Sequence, residues 1–328
     1  MALRPRMRVS ARVLLVASVL PLAATVDGFA AGCVRAAGGG GVVAIASERG
    51  LTLVSPKAAR DIALGAPAST LAWSTVLNCF VATADRALWT VEARGASHRV
   101  ARLPGRGRSL AVAPGPGAIV AVSTDGVREG VTVYGVGRDR ARRLGGGVEP
   151  RRVRGRVAIG DGDGDGRFEV LVLVTGRTRF DARERLRPFV YGWDGTRLYP
   201  KWLGSRLSRP FDDAVLGNVD GDAAAELVAV EHTRDGRREL AAYDWSGFGF
   251  ERAATSSPAS DICGLEVDRE ARILALVDRA PCAFRVVADR LEPHLTGAGP
   301  RDAVVALDGV VVGVTGRSLY RIHGESIP

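Results

Sequence analysis

Lysine is almost missing from this chain: of 45 basic residues in 328, only Lys57 and Lys201 are lysines. The arginine excess accompanies richness in Ala, Gly and Val, the pattern of a GC-rich coding bias, so the net charge of +9 says little about partners. Aromatic residues are scarce at 6%. No segment carries an amphipathic helical period, which argues against helical bundles and alternating α/β folds. Catalytic signatures are also lacking. Nothing reads as a nucleophile elbow or phosphate loop, and His98, His232, His294 and His323 are too scattered to share a metal. No catalytic residue is assigned, and the expectation is that the protein is not an enzyme.

Long hydrophobic runs are absent except at the N-terminus, where Arg4, Arg6, Arg8 and Arg12 precede the apolar stretch 13–26, interrupted by Pro21. That layout is an export signal, too short for a good membrane span. Gly28-Phe29-Ala30 fits a signal-peptidase site, whereas Ala30-Ala31-Gly32-Cys33 fits a lipobox in which Cys33 is lipidated. Both readings stand at this stage. The expected locations are secreted, periplasmic or cell-surface, with a membrane met only through the signal or a lipid anchor. Four cysteines suit an oxidising compartment. Cys263 and Cys282, 19 residues apart on strands of one expected sheet, are the disulfide candidates.

What the chain does have is short β-branched runs separated by Gly, Asp and Pro, the signature of an all-β fold. After a signal at 1–32 and a Gly-rich linker at 33–40, the runs group into units at about 41–66, 67–105, 106–148, 149–205, 206–255, 256–296 and 297–328. Seven units of three or four strands each predict a seven-bladed β-propeller over 41–328, in which stacked sheets bury faces that none could bury alone. A strand from one chain end is expected to complete the blade at the other.

Two units align closely. PFVYGWDGTRLYPKW (188–202) superposes on ELAAYDWSGFGFERA (239–253), so Tyr191 and Trp193 match Tyr243 and Trp245, side chains expected to pack between blades. Each is preceded by an acidic loop, GDGDGDGRFEVLVLV (160–174) and GNVDGDAAAELVAVE (217–231). Counting from Asp161, oxygen side chains fall at positions 1, 3, 5 and 9 as Asp161, Asp163, Asp165 and Glu169; counting from Asn218 they are Asn218, Asp220, Asp222 and Glu226. Hard oxygens at alternate positions of a tight loop can converge on Ca²⁺. An EF-hand is set aside, because position 12 holds Val172 and Ala229 and strands follow the loops.

The first loop resembles the FG-GAP or VCBS repeat of bacterial surface proteins and the integrin α-subunit propeller, clearly over 149–255. The resemblance implies structural Ca²⁺ held by Asp161, Asp163, Asp165, the carbonyl of Arg167 and Glu169, and in the second loop by Asn218, Asp220, Asp222, the carbonyl of Ala224 and Glu226. With one acid fewer, the second site is expected to be the weaker. The function expected is a protein- or ligand-binding or scaffolding module of the cell envelope or surface, acting as a monomer on a protein or glycan and not on nucleic acid. The alternatives are a propeller-type lyase or hydrolase acting on carbohydrate, and a binder of anionic polymers through the strip Arg138, Arg140, Arg142, Arg143, Arg151, Arg152, Arg154 and Arg156.

Overall fold

The computed structural model describes residues 33–113, 118–125, 130–148, 153–178, 181–204, 207–299 and 301–322, with only the backbone at 154 and 178. The export signal, His323, Arg151, Arg152 and the side chain of Arg154 lie outside the described residues.

Among these residues there are 27 strands and no helix. Numbered β1–β27 in chain order, they form antiparallel meanders: β1–β4 in 36–63, β5–β8 in 68–102, β9–β12 in 107–148, β13–β16 in 153–203, β17–β20 in 211–255, β21–β24 in 262–296, and the three-stranded β25–β27 in 303–321. A single parallel pairing, Thr255 with Arg290, joins the fifth and sixth meanders into one eight-stranded sheet.

The first strands of the meanders are β1 (Ala36–Gly39), β5 (Ala68–Ser74), β9 (Gly107–Val112), β13 (Val153–Gly160), β17 (Phe211–Gly217), β21 (Ile262–Val267) and β25 (Ala303–Leu307). Each lies beside the next, and β25 lies beside β1, so the series closes. Burial explains the ring. The second strands, such as β14 (Glu169–Thr178) and β18 (Glu226–His232), carry near-continuous apolar runs because both faces are covered by neighbouring sheets. The fourth strands are less covered: β4 (Ala59–Ala63) is largely exposed, and β20 (Phe250–Thr255) alternates exposed with partly covered residues before Ala254. The hydrophobic clusters likewise bridge consecutive meanders. One joins Phe80 to Leu51, and another joins Val305 and Val312 of the last meander to Val43 and Ile45 of the first.

Two sequence expectations are corrected. Residues 36–39 are not linker but β1, paired with β2 (Val42–Ser47) in its own meander. The glycines serve contact: a Cβ at Gly38 would lie 2.1 Å from the Ala306 carbonyl oxygen, and one at Gly39 would enter the Trp73 ring. The chain end therefore completes no other sheet among the described residues, and the last meander has three strands.

The second correction concerns the disulfide, which joins Cys33 to Cys263 with Cα atoms 6.4 Å apart. Cys282 is on β23 (Ala280–Val287), separated from β21 by β22 (Ile273–Val277). Two strand spacings come to about 9–10 Å, beyond disulfide reach. Cys282 and Cys79 are buried thiols. Bonding to Cys263 also occupies the sulfur that lipidation of Cys33 would need, which removes the lipobox reading for this form of the chain.

Candidate functional site

The acidic loops are the turns from β13 to β14 and from β17 to β18, and they share one local design. Glu169 and Glu226 each open the second strand, opposite Gly160 and Gly217, and both are buried. Each carboxylate turns back into its loop, where Glu169 Oε2 accepts the Gly162 N–H and Glu226 Oε2 the Val219 N–H, both at 2.7 Å. The loops also touch each other, since the Ala225 N–H donates to the Asp161 carbonyl at 2.6 Å.

Within the first loop, Asp161, Asp163 and Glu169 each bring an oxygen within 4.8 Å of the others. Asp165 does not join them; its Oδ1 accepts the Arg167 N–H at 2.8 Å. Asp161 also accepts the N–H groups of Asp165 and Gly166. Lys201, on β16 (Leu198–Leu203), reaches this cluster. Its ammonium pairs with Asp163 Oδ2 and lies 2.8 Å from Glu169 Oε1. Burial alone would lower the Lys201 pKa, but Asp163 and Glu169 outweigh it and raise it. Asp163 Oδ1 is buried and unbonded.

The second loop assembles Asp220, Asp222 and Glu226 within the same 4.8 Å. Asn218 serves the turn, its Oδ1 accepting the Gly221 N–H at 2.8 Å while its amide meets the Asp222 carbonyl. Burial, then Asp220 and Asp222, push the Glu226 carboxyl up to about 7 against the Val219 N–H. Asp244, on β19 (Arg238–Trp245), is raised by burial and by the same two aspartates, which places a fourth carboxylate near the cluster. Among the described residues no ion pair reaches Asp220, Asp222, Glu226 or Asp244. Sequence reading picked out the loops but missed Lys201 and Asp244. The signal was there in the alignment, which sets Lys201 against Ala253 and Gly192 against Asp244.

A second polar assembly lies in the central channel, a cavity of about 620 Å³ lined by Arg35, Ser109, Arg156, Glu266 and Asp268 among others. Arg156 pairs with Asp213 at 3.2 Å and donates to the Leu265 carbonyl. Arg35 donates to the Arg108 carbonyl at 3.1 Å. Burial, then repulsion from Arg156, lower the Arg35 pKa to about 10. Burial pushes Glu266 up to about 7, with Arg156 opposing and Asp213 and Asp268 adding. The Glu266 carboxylate has no hydrogen bond or ion pair among the described residues.

Other polar and aromatic residues fall elsewhere. Asp212 pairs with His232 at 2.7 Å and Arg238 at 2.9 Å, and Asp302 accepts the Gly316 N–H. His98 is on β8 (Ser97–Arg102) and His294 on β24 (Arg290–Thr296), in different meanders. Tyr191, Trp193 and Tyr243 are buried in the inter-sheet cores. The arginine strip is divided: Arg138 is an exposed turn residue beside Glu92, Arg142 and Arg143 lie on β12 (Ala141–Val148), and Arg156 faces the channel.

No protein-family model matches the sequence, and no curated protein matches it significantly. Solved structures do match. A chain of the mitotic checkpoint complex aligns over 97% of this chain and 98% of its own, with TM-score 0.57 and 11% identity. The fold is β-propeller-like. The extracellular domain assigned to a hybrid two-component system of B. thetaiotaomicron aligns over 94% of this chain and 39% of its own, with TM-score 0.56 and 10% identity. A protein assigned as a 6-phosphogluconolactonase from Bacteroides uniformis aligns over 86% and 85%, with TM-score 0.53 and 9% identity. At these identities the likeness is one of fold alone.

Proposed function

We propose that this is an exported, calcium-stabilised, seven-bladed propeller of the FG-GAP/VCBS kind, a non-enzymatic module that binds a small polar ligand bearing a cationic group in its central channel. The observation that carries the binding reading is Glu266, whose carboxylate lines a cavity of ligand size without a hydrogen-bond or ion-pair partner among the described residues, near the Arg156–Asp213 pair. A half-buried acid without a partner costs stability, and such groups concentrate at functional sites. One observation supports export: a disulfide that suits an oxidising compartment. With Cys33 bonded, release into the periplasm or medium fits better than a lipid anchor.

Calcium fits the second loop. Asp220, Asp222 and Glu226 supply clustered hard donors without a compensating cation among the described residues, and the Glu226 pKa is raised first by burial and then by Asp220 and Asp222, charges that a divalent ion would neutralise. Its chemistry there would be structural.

The channel is tested by thermal-shift screening against amino acids, amines and sugars. Stabilisation by a cationic or zwitterionic compound, abolished in Glu266→Gln, is the expected result. Undiminished binding to the Glu266→Gln variant would place the ligand elsewhere and overturn the reading. For the anionic-polymer alternative, Arg156 is drawn into the channel, whereas Arg138, Arg140, Arg142 and Arg143 stay exposed at the turn into β12 and along it.

A further inference from the structure

We infer that Lys201 is the resident cation of the first acidic loop, an internal ammonium standing where a metal would otherwise sit, so that the protein takes up calcium at the second loop only. The count of ions rests on the calcium reading above; the role of Lys201 does not.

Three observations converge. The Lys201 ammonium meets Asp163 Oδ2 and lies 2.8 Å from Glu169 Oε1, two of the three carboxylates that cluster there. The residue type is itself selective: in a chain whose other basic residues are arginines but for Lys57, the loop receives a lysine. A compact ammonium acts as a point charge that oxygens can surround, whereas a planar guanidinium fork is suited to bidentate pairing with one carboxylate. Third, the sister loop carries the complementary change. The bulge between β15 (Asp181–Trp193) and β16 that presents Lys201 is matched by a bulge between β19 and β20, where Ala253 stands in its place. There too Asp244 replaces Gly192 and adds negative charge. One loop has thus gained a cation and the other an acid.

The ammonium meets the requirement that defines such a loop, neutralising carboxylates that would otherwise repel each other, and its stem is tethered to β16. A tethered cation cannot dissociate, so the first loop is held at any calcium concentration. Removing it would free Asp163 Oδ2 and Glu169 Oε1, which together with the unbonded Asp163 Oδ1 and Asp161 recreate an acceptor set like that of the second loop.

The test is calcium stoichiometry of the full protein by equilibrium dialysis with radioactive Ca²⁺. The wild type should bind one ion per chain and Lys201→Met, which keeps the apolar stem, should bind two. If the wild type binds none and Lys201→Met binds one, the calcium reading of the second loop fails while the role of Lys201 stands. If Lys201→Met gains no ion, the inference is overturned. In case that variant does not fold, Asp163→Asn and Asp222→Asn decide the matter with Lys201 in place. Asp163→Asn should leave the wild-type uptake unchanged and Asp222→Asn should abolish it; loss of an ion in Asp163→Asn would overturn the assignment.

Discussion

Glu266 sets a pH dependence that can be worked out from its surroundings. Its carboxyl is held at about 7 against an ordinary 4.5, burial being the main cause. An acid whose folded pKa is raised favours the fold when protonated. Stability should therefore decline as pH rises from about 4.5 to 7, and the deficit is full above that range. Glu266→Gln removes the deficit. The variant should match wild type near pH 4 and exceed it at pH 8 by about 1 kcal/mol, a full shift being discounted because the channel admits solvent. Urea melts at the two pH values check this, and a variant less stable than wild type at pH 8 would mean that Glu266 is paired in the fold. Single residues were unevenly legible in the sequence. The carboxylates of the loops announce themselves by spacing, whereas Lys201, Asp244 and Glu266 matter only through neighbours brought to them by pairing across strands. Asp165 shows the converse, for it has the spacing of a ligand yet serves its own turn.

At the scale of elements, β14 and β15 run beyond the rest of their sheet, to the pairing of Thr178 with Asp181. Arg187, 2% exposed, pins this arm: it donates to the carbonyls of Gly176, Gly204 and Arg183 and pairs with Asp181 at 3.0 Å. Arg187→Met should cost about 3 kcal/mol by orphaning those acceptors, with amide exchange accelerating first at 176–186. The sequence marks this arm only by five arginines within 177–187. It read the all-β character correctly because alternating and β-branched runs record burial directly, but it misread the glycines of β1. A glycine run signals flexibility unless a close neighbour is known, and that neighbour, Ala306, is more than 260 residues away. Gly38→Val should accordingly prevent β1 from seating against β25 and lower the melting temperature. The Cys33–Cys263 bond closes the same seam by carrying the chain start past the last meander to the sixth. Cys33→Ala should cost about 2–5 kcal/mol, and reductant should bring wild type to the variant's stability while leaving the variant unchanged.

For the molecule as a whole, the ring makes each sheet dependent on two neighbours, so a change in one turn can reach the global melt. The acidic loops join the fourth and fifth meanders, and the Ala225-to-Asp161 hydrogen bond couples them directly. One cation at each, tethered in the first and exchangeable in the second, would fix that junction. Strand rhythm carried the overall architecture, since every unit must bury both faces of its sheet. It could not show the closing seam or the channel, which exist only once the units are assembled. The most direct test of the calcium-stabilised propeller is the melting temperature of wild type and Glu226→Gln, each in chelator and in millimolar Ca²⁺. Calcium should raise the wild-type midpoint by several degrees and leave Glu226→Gln unmoved; coincident wild-type melts in chelator and in calcium would contradict the account.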